Sequence, residues 1–185
     1  MASHKLSEQD RLRLYQTKSV CAWGRYEGQL KRAIALMKYQ CQPEIGNLLG
    51  RELAKTWKEN NLGKPESKVS VVPIPMHANK EQERGFNQAE IIARSFCQLT
   101  GYRLETKVLS RIRATEAMFN LSSKAARERN LRKAIRVEKR PKHAVLLIDD
   151  IYTTGTTVNE TVRVLQQKQI KVIGVAVVAK AGALA

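Results

Sequence analysis

The chain has 185 residues, of which 43% are hydrophobic and 27% are charged, a balance typical of a globular domain and not of a disordered segment. Lysine and arginine outnumber aspartate and glutamate by 33 to 17, so the formal charge is +16 and the expected ligands are polyanions. No apolar run reaches the roughly 18 residues of a membrane helix, and the polar N-terminus lacks the apolar segment of a secretory signal. The three cysteines form no CxxC pair, which argues against a cysteine-rich zinc site. These features predict a cytoplasmic protein without membrane insertion.

The first third of the chain, residues 1–66, is predicted to be mostly helical. The stretch SVCAWGRYEG (19–28) is expected to be a short strand or an extended entry. Apolar residues at helical spacing predict one helix over EGQLKRAIALMKYQ (27–40) and a second over 44–60. After a loop at 61–67, KVSVVPIPM predicts a buried strand that ends at Pro73 and Pro75, because proline cannot continue a central ladder.

The remainder, residues 67–185, alternates strands with helices. QAEIIARSFCQLTG predicts a helix that Asn87 caps and Gly101 ends, and RLETKVLSRI is strand-like. The region 109–143 holds eleven basic and three acidic residues, a net charge of +8. A strand (AVLLID), a helix (TTVNETVRVLQQK) and a strand (IKVIGVAVVAK) then form a βαβ unit with parallel strands and a right-handed crossover. The predicted class is α/β, with a mostly parallel central sheet flanked by helices.

The stretch VLLIDDIYTTGTTVNETVRVLQ (145–166) joins an acidic pair to a threonine-rich helix entry. Ligands of open α/β sheets bind beyond the carboxyl ends of the strands, where Asp149 and Asp150 are expected. A helix N-terminus offers unpaired N–H groups to an anion, and Gly155 lets the backbone approach it closely. The hydroxyls that add further donors are those of Thr153, Thr154, Thr156 and Thr157. Because carboxylates beside a phosphate suit sugar hydroxyls, the stretch predicts a site for a phosphorylated ribose.

Two other interpretations explain less of this stretch. If Thr154 or Thr156 only capped the helix, the acidic pair and the remaining threonines would have no role. A P-loop ATPase would need GxxxxGK[ST], which the chain lacks, and the absence of GxGxxG argues against a dinucleotide-binding fold.

The segment VLLIDDIYTTGTT resembles the phosphoribosyl-pyrophosphate (PRPP) motif of type I phosphoribosyltransferases. The wider chain is similar to one branch of these proteins, the ComF family linked to natural competence, through RYEGQLKRAIALMKY (25–39), VVPIPM (71–76), ERGFNQA (83–89) and the region 115–130. The resemblance implies a type I phosphoribosyltransferase-like fold. Residues 1–66 would form an N-terminal helical hood-like segment, and residues 67–185 a PRPP-binding core with a basic lid at 109–143.

The resemblance also implies a role for each candidate residue. The catalytic pair Asp149 and Asp150 would hold the ribose hydroxyls. The residues implied for the 5′-phosphate are Thr153, Thr154, Gly155, Thr156 and Thr157. The residues implied for the pyrophosphate group are Pro73, Ile74, Pro75 and Arg84, although Arg84 is equally well explained as an ordinary exposed arginine. The lid candidates that would close on the diphosphate are Arg111, Arg113, Arg127 and Arg129.

The implied activity is transfer of a phosphoribosyl group to an acceptor that the sequence does not identify. Magnesium is expected to arrive with PRPP, so we assign no dedicated metal ligand, and we expect His77 and His143 to be surface residues. Core packing is the favoured use of Trp23, Tyr26 and Tyr39 over lining an acceptor pocket. The alternative function is a non-catalytic sensor of PRPP or nucleotides, or a nucleic-acid-binding partner of the competence DNA-uptake machinery. Candidate partners are PRPP, a ComFA-type helicase, single-stranded DNA and a second copy of the chain.

Overall fold

The computed structural model describes residues 20–60, 68–112 and 134–182. No helix within these ranges is both long enough and apolar enough to cross a bilayer. In chain order the elements are β1 (Val20–Arg25), α1 (Gly28–Tyr39), α2 (Pro43–Glu59), β2 (Val69–Pro73), α3 (Ala78–Arg84), α4 (Gln88–Thr100), β3 (Arg103–Leu104), β4 (Leu109–Arg111), β5 (Ile135–Val137), β6 (Ala144–Tyr152), α5 (Thr156–Gln167) and β7 (Val172–Lys180).

Five strands form one parallel sheet in the order β1-β7-β6-β2-β3. Strand β6 is at its centre, and its run from Val145 to Ile148 is completely buried. A strand covered on both faces is expected to be apolar throughout, which is why this segment shows no polar alternation. Strands β4 and β5 pair antiparallel in a separate two-stranded sheet. The predicted α/β class with a mostly parallel sheet flanked by helices is confirmed.

Helices cover both faces of the sheet and create two apolar cores. Successive residues of a strand point to opposite faces, so Leu146 and Ile148 of β6 pack with α1, α2 and α4. Their neighbours Val145 and Leu147 pack with α5 and with the β4–β5 pair. The end of β6 therefore lies between a three-helix layer on one face and α5 on the other.

The N-terminal part of the chain contributes a strand to this sheet. Segment 19–28, expected to be a strand or an extended entry, forms β1, which pairs with β7 from Val20 to Arg25. The N–H of Tyr26 continues the contact by donating to the carbonyl of Lys180 at 2.8 Å. The division of the chain at residue 66 stays a prediction, and β1 ties the two parts together in one sheet.

Helices α2 and α4 approach closely where α2 carries two glycines one turn apart. A Cβ at Gly50 would lie 2.4 Å from the carbonyl oxygen of Ile92, and a Cβ at Gly46 would lie 2.9 Å from Cγ2 of Ile91. Ser95 Oγ also donates a 2.9 Å hydrogen bond to Asn47 Oδ1 across the contact. This close contact fixes the layer against which α1 packs.

Two predictions of local structure need correction. The single strand expected over RLETKVLSRI is wrong, because the chain turns after β3 and β4 joins the other sheet. Glu105 holds that turn by accepting hydrogen bonds from Ser70 Oγ (2.6 Å) and the Lys142 N–H (3.1 Å). The second correction is α3, which forms in a stretch with no predicted helix. It buries none of its residues, so it has no apolar periodicity to reveal it.

The predicted ends of α4 are confirmed. Asn87 Oδ1 accepts the N–H of Ala89 at 3.1 Å, as an N-cap does. Gly101 ends the helix in the left-handed conformation, with φ of 74°.

Candidate functional site

The acidic pair lies within β6, close to its carboxyl end. The predicted strand AVLLID ends at Asp149, but β7 continues to pair with β6 as far as Tyr152. Because side chains alternate along a strand, Asp150 points to the face covered by α1, α2 and α4, and Asp149 points to the face of α5. The two carboxylates therefore occupy different environments.

Asp150 forms an ion pair with a residue that the sequence does not single out, Lys38 of α1. Its Oδ2 lies 2.6 Å from Lys38 Nζ, and the two side chains are only 7% and 17% exposed. Helix α1 directs Lys38 inward because Ile34, one turn earlier on the same face, and Met37 are completely buried. Burial alone would raise the pKa of Asp150, but the Lys38 ammonium outweighs it and holds that pKa below its usual value. Burial likewise disfavours the ammonium, yet the Asp150 carboxylate raises the pKa of Lys38.

Asp149 has the opposite titration behaviour. Its Oδ1 accepts the backbone N–H of Asp150 at 2.8 Å. Desolvation and the neighbouring Asp150 charge raise the pKa of Asp149 well above its usual value. Arg111 of β4 interacts electrostatically with Asp149, although burial lowers the pKa of its guanidinium. Asp150 is thus held as an anion, while Asp149 keeps its proton to a higher pH.

Replacing Asp149 with asparagine is expected to stabilise the fold at neutral pH. The folded-state pKa of this carboxyl exceeds its unfolded value of about 3.9. The contribution of the Asp149 carboxyl to the free energy of unfolding is therefore fully present below about pH 3.9. It is lost as the pH rises through the folded-state pKa. Asparagine does not ionise, so it avoids this loss of stability, and its side-chain oxygen can still accept the Asp150 N–H. We expect a gain of about 0.5–2 kcal/mol at pH 7, the range of single stabilising substitutions.

Urea unfolding at pH 7 and at pH 3.5 measures this effect. The gain should shrink at the lower pH, and the exposed Glu83→Gln on α3 serves as the control. An Asp149→Asn variant less stable than wild type at pH 7 would contradict the assignment.

The turn after β6 requires glycine. Gly155 is the N-cap of α5 and has a φ of 72°, a conformation that L-residues adopt at a cost. A Cβ at this position would lie 2.2 Å from Tyr152 Oη. Among the described residues no side chain caps this helix, and the hydroxyls of Thr154 and Thr156 bond to each other at 2.7 Å. The alternative in which a threonine only caps the helix is therefore wrong, and the first-turn N–H groups are not claimed by a capping side chain.

A concave pocket that is open to solvent lies at this helix end. Its lining joins Asp149 to every residue from Ile151 to Val158. The structure thus brings together one carboxylate and all five residues predicted for the 5′-phosphate. Asp150 is not part of the lining, because its side chain faces Lys38 on the other side of the sheet.

Three of the residues predicted for the pyrophosphate group, Pro73, Ile74 and Pro75, lie at the end of β2 and in the loop just after it. Pro73 and Pro75 have no N–H, and the N–H of Ile74 donates to the carbonyl of Ile148 at 2.9 Å. These three residues therefore offer no free backbone amide, and any amide contact from this loop would come from residues after Pro75. Arg84, at the end of α3, is partly exposed. Its pyrophosphate role stays a prediction.

The lid prediction is only partly covered by the structure. Arg111 ends β4, and a β-bridge joins it to His77 beside the loop that follows β2. Arg111 is thus next to that loop, and it also interacts electrostatically with Asp149. The other three lid candidates, Arg113, Arg127 and Arg129, lie outside the described residues.

The remaining sequence predictions concern aromatic residues and histidines. Trp23 and Tyr26 pack against the core as expected, but core packing is wrong for Tyr39, which is 71% exposed at the end of α1. His77 and His143 are partly exposed, and His77 caps α3 by accepting the Asn79 N–H at 3.2 Å. Within ranges 20–60, 68–112 and 134–182 no three histidine, cysteine or acidic residues group as metal ligands would.

Comparison with known proteins relates the chain to one family. The model of the phosphoribosyl transferase domain matches residues 50–185, well over half of the chain. The DNA utilization protein YhgH of Salmonella typhi is 29% identical over 145 residues, covering 76% of this chain and 62% of that protein. The competence protein ComFC of Bacillus subtilis is 28% identical over 167 residues, covering 86% and 61%. Competence protein F of Haemophilus influenzae is 29% identical over 164 residues, covering 83% and 70%. The chain thus spans about 62% of the length of the first of these relatives.

Proposed function

Because the chain belongs to the phosphoribosyl transferase domain family, in its ComF branch, we propose that it binds magnesium–PRPP in the pocket at the end of β6. One observation carries the proposal. An uncapped helix N-terminus, entered through a turn that only glycine fits, shares a pocket with a strand-end carboxylate. The helix N-terminus can bind an anion, and the carboxylate can accept hydrogen bonds from hydroxyls. A sugar phosphate carries both kinds of group.

The 5′-phosphate would bind at the first turn of α5. The backbone N–H groups there point outward, and the helix dipole adds about half a positive charge. Asp149 lines the same pocket and would accept a ribose hydroxyl, while Asp150 supports it from the opposite face of β6. Arg111, close to Asp149 and bridged to His77, would meet the diphosphate. Magnesium would be bound by the oxygens of PRPP as part of the substrate.

The chemistry proposed for this arrangement is pentosyl transfer. A nucleophilic acceptor attacks the anomeric carbon while the C–O bond to pyrophosphate breaks, and the diphosphate leaves with the electron pair. Positive charge develops on the ribose ring, next to Asp149. The protein would contribute mainly by orienting the reactants and by placing charges where the transition state needs them.

We also propose that the protein acts in competence and DNA utilization, as the names of its relatives suggest. The region 109–143 carries a net charge of +8, which favours contact with single-stranded DNA or with a DNA-bound ComFA-type helicase. Such contacts would be electrostatic, so the affinity for DNA should fall steeply as the salt concentration rises. If the protein binds PRPP but transfers its phosphoribosyl group to no acceptor, it would act as a non-catalytic PRPP sensor in the same pathway.

Calorimetric titration of magnesium–PRPP into Gly155→Ala and Gly101→Ala tests the site. Both glycines have positive φ, 72° and 74°, so alanine costs about 1–2 kcal/mol of stability at either position. A Cβ at Gly101 meets no described atom within 4 Å, whereas one at Gly155 displaces Tyr152. We expect only Gly155→Ala to lose affinity, by roughly tenfold or more.

Thermal unfolding of the two variants checks that their stabilities match. Equal PRPP affinity in both would show that the ligand does not use this turn. A folded wild-type protein that releases no heat with PRPP would refute the proposed function itself.

A further inference from the structure

Lys38 reaches the acidic pair from outside the segment that carries the phosphoribosyl motif. It belongs to α1, and its ammonium lies 2.6 Å from Asp150 Oδ2. Other basic residues of the same helix, Lys31 and Arg32, are exposed to solvent. Lys38 alone among them is directed toward the acidic pair, because Ile34 and Met37 on its face of the helix are buried.

A buried ion pair is weak evidence of a stabilising role. Removing two charges from water costs several kcal/mol per ion, and apolar residues of the same shape often stabilise a core equally well. Both partners here are more than four-fifths buried. The role of this pair therefore lies in its effect on Asp150.

The titratable groups around the pair come from β6, from β4 and from the residues just before α1. Asp149 lies beside Asp150 on β6, and Tyr26, just before α1, interacts electrostatically with Lys38. Arg111 of β4 acts on Asp149 from the other face of the sheet. Two carboxyl groups thus meet two cations, and Lys38 is the cation that contacts Asp150. Without it, Asp150 would be a buried carboxylate beside a second one, and such a group takes up a proton.

We propose that Lys38 is a positioning residue for the pentose: its ion pair keeps Asp150 charged and fixed on the opposite face of β6, which holds the neighbouring Asp149 in place to accept hydrogen bonds from the hydroxyls of a PRPP-class ligand. The proposal rests on the proposed function of this pocket. The proposal also gives helix α1 a role in ligand binding, because α1 supplies the Lys38 ammonium that neutralises Asp150.

The test is calorimetric titration of magnesium–PRPP between pH 5.5 and 8.5 into wild type, Lys38→Met, Lys38→Arg and the exposed control Lys58→Met. The ligand itself titrates in this range, so the measured quantity is the ratio of each variant's Kd to that of wild type at the same pH. For Lys38→Met we expect a ratio of roughly 10–100 at pH 6 that falls as the pH rises and Asp150 ionises. Lys38→Arg and Lys58→Met should stay near one.

The variant Lys38→Met, Asp150→Asn keeps the test valid if Lys38→Met does not fold, since it leaves no buried charge unpaired. Its Kd ratio should equal that of Asp150→Asn alone and should not change with pH. A pH-independent ratio for Lys38→Met, or further loss of affinity in the double variant, would refute the role of Lys38 and leave PRPP binding intact. A wild type that does not bind PRPP would overturn both proposals.

Discussion

Replacing Gly50 with alanine is expected to lower the free energy of unfolding by about 2–3 kcal/mol, and Tm by roughly 4–12 °C in a chain of this size. The added Cβ would lie 2.4 Å from the carbonyl oxygen of Ile92 and 3.0 Å from Cβ of Ser95. A backbone carbonyl in a helix cannot rotate away, so α2 and α4 must separate. The loss is expected although alanine favours a helix over glycine by about 1 kcal/mol.

Gly46→Ala is the matched control, one turn earlier on the same face of α2. Its Cβ would meet Cγ2 of Ile91 at 2.9 Å, a flexible side chain that can shift. Clash and helix propensity should then nearly cancel, with a net change within about 1 kcal/mol. Urea and thermal unfolding of both variants measure these changes in the free energy of unfolding and in Tm. Equal effects, or a stabilised Gly50→Ala, would show that the two helices are not in close contact at Gly50.

The parts of the site that the sequence predicts are those built from consecutive residues. A strand, a glycine turn and a helix entry follow one another over 145–166, so Asp149 and the residues Thr153 to Thr157 are neighbours in any such unit. The same holds for the ends of α4, where Asn87 and Gly101 act through their own backbone. Local chemistry fixes these features, and tertiary packing does not alter them.

The role of Lys38 could not be predicted in this way. A lysine near the end of an amphipathic helix is ordinarily exposed to solvent. Lys31 and Arg32 of the same helix are exposed in this way. Only the packing of α1 against the sheet brings Lys38 to Asp150. Its one sequence signal is the four-residue spacing from Ile34, which places both on the buried face.

Backbone hydrogen bonding limits what Pro73, Ile74 and Pro75 can donate to a pyrophosphate group. The prolines correctly predict the end of the strand, but they also remove two of three amide donors. The third, on Ile74, belongs to the sheet through Ile148.

The four-residue spacing of Gly46 and Gly50 can be read from the sequence. The close helix contact that these glycines allow cannot, because it depends on α4, which lies much later in the chain.

Replacing Asp149 and Asp150 together with asparagine is expected to weaken magnesium–PRPP binding by at least about 100-fold. A charged acceptor adds roughly 1.5–3 kcal/mol to a hydrogen bond, and both carboxylates lie at the strand end proposed to hold the ribose. The change also removes up to two negative charges from the protein. A matched control is therefore Glu52→Gln, Glu90→Gln, which alters the charge equally at two exposed helix ion pairs.

The most direct measurement is calorimetric titration of magnesium–PRPP into wild type and these two double variants, with thermal unfolding to confirm that each is folded. We expect wild type and the control to bind with the same Kd, and the aspartate variant to release no measurable heat. Equal binding by all three folded proteins would contradict the placement of PRPP at the end of β6.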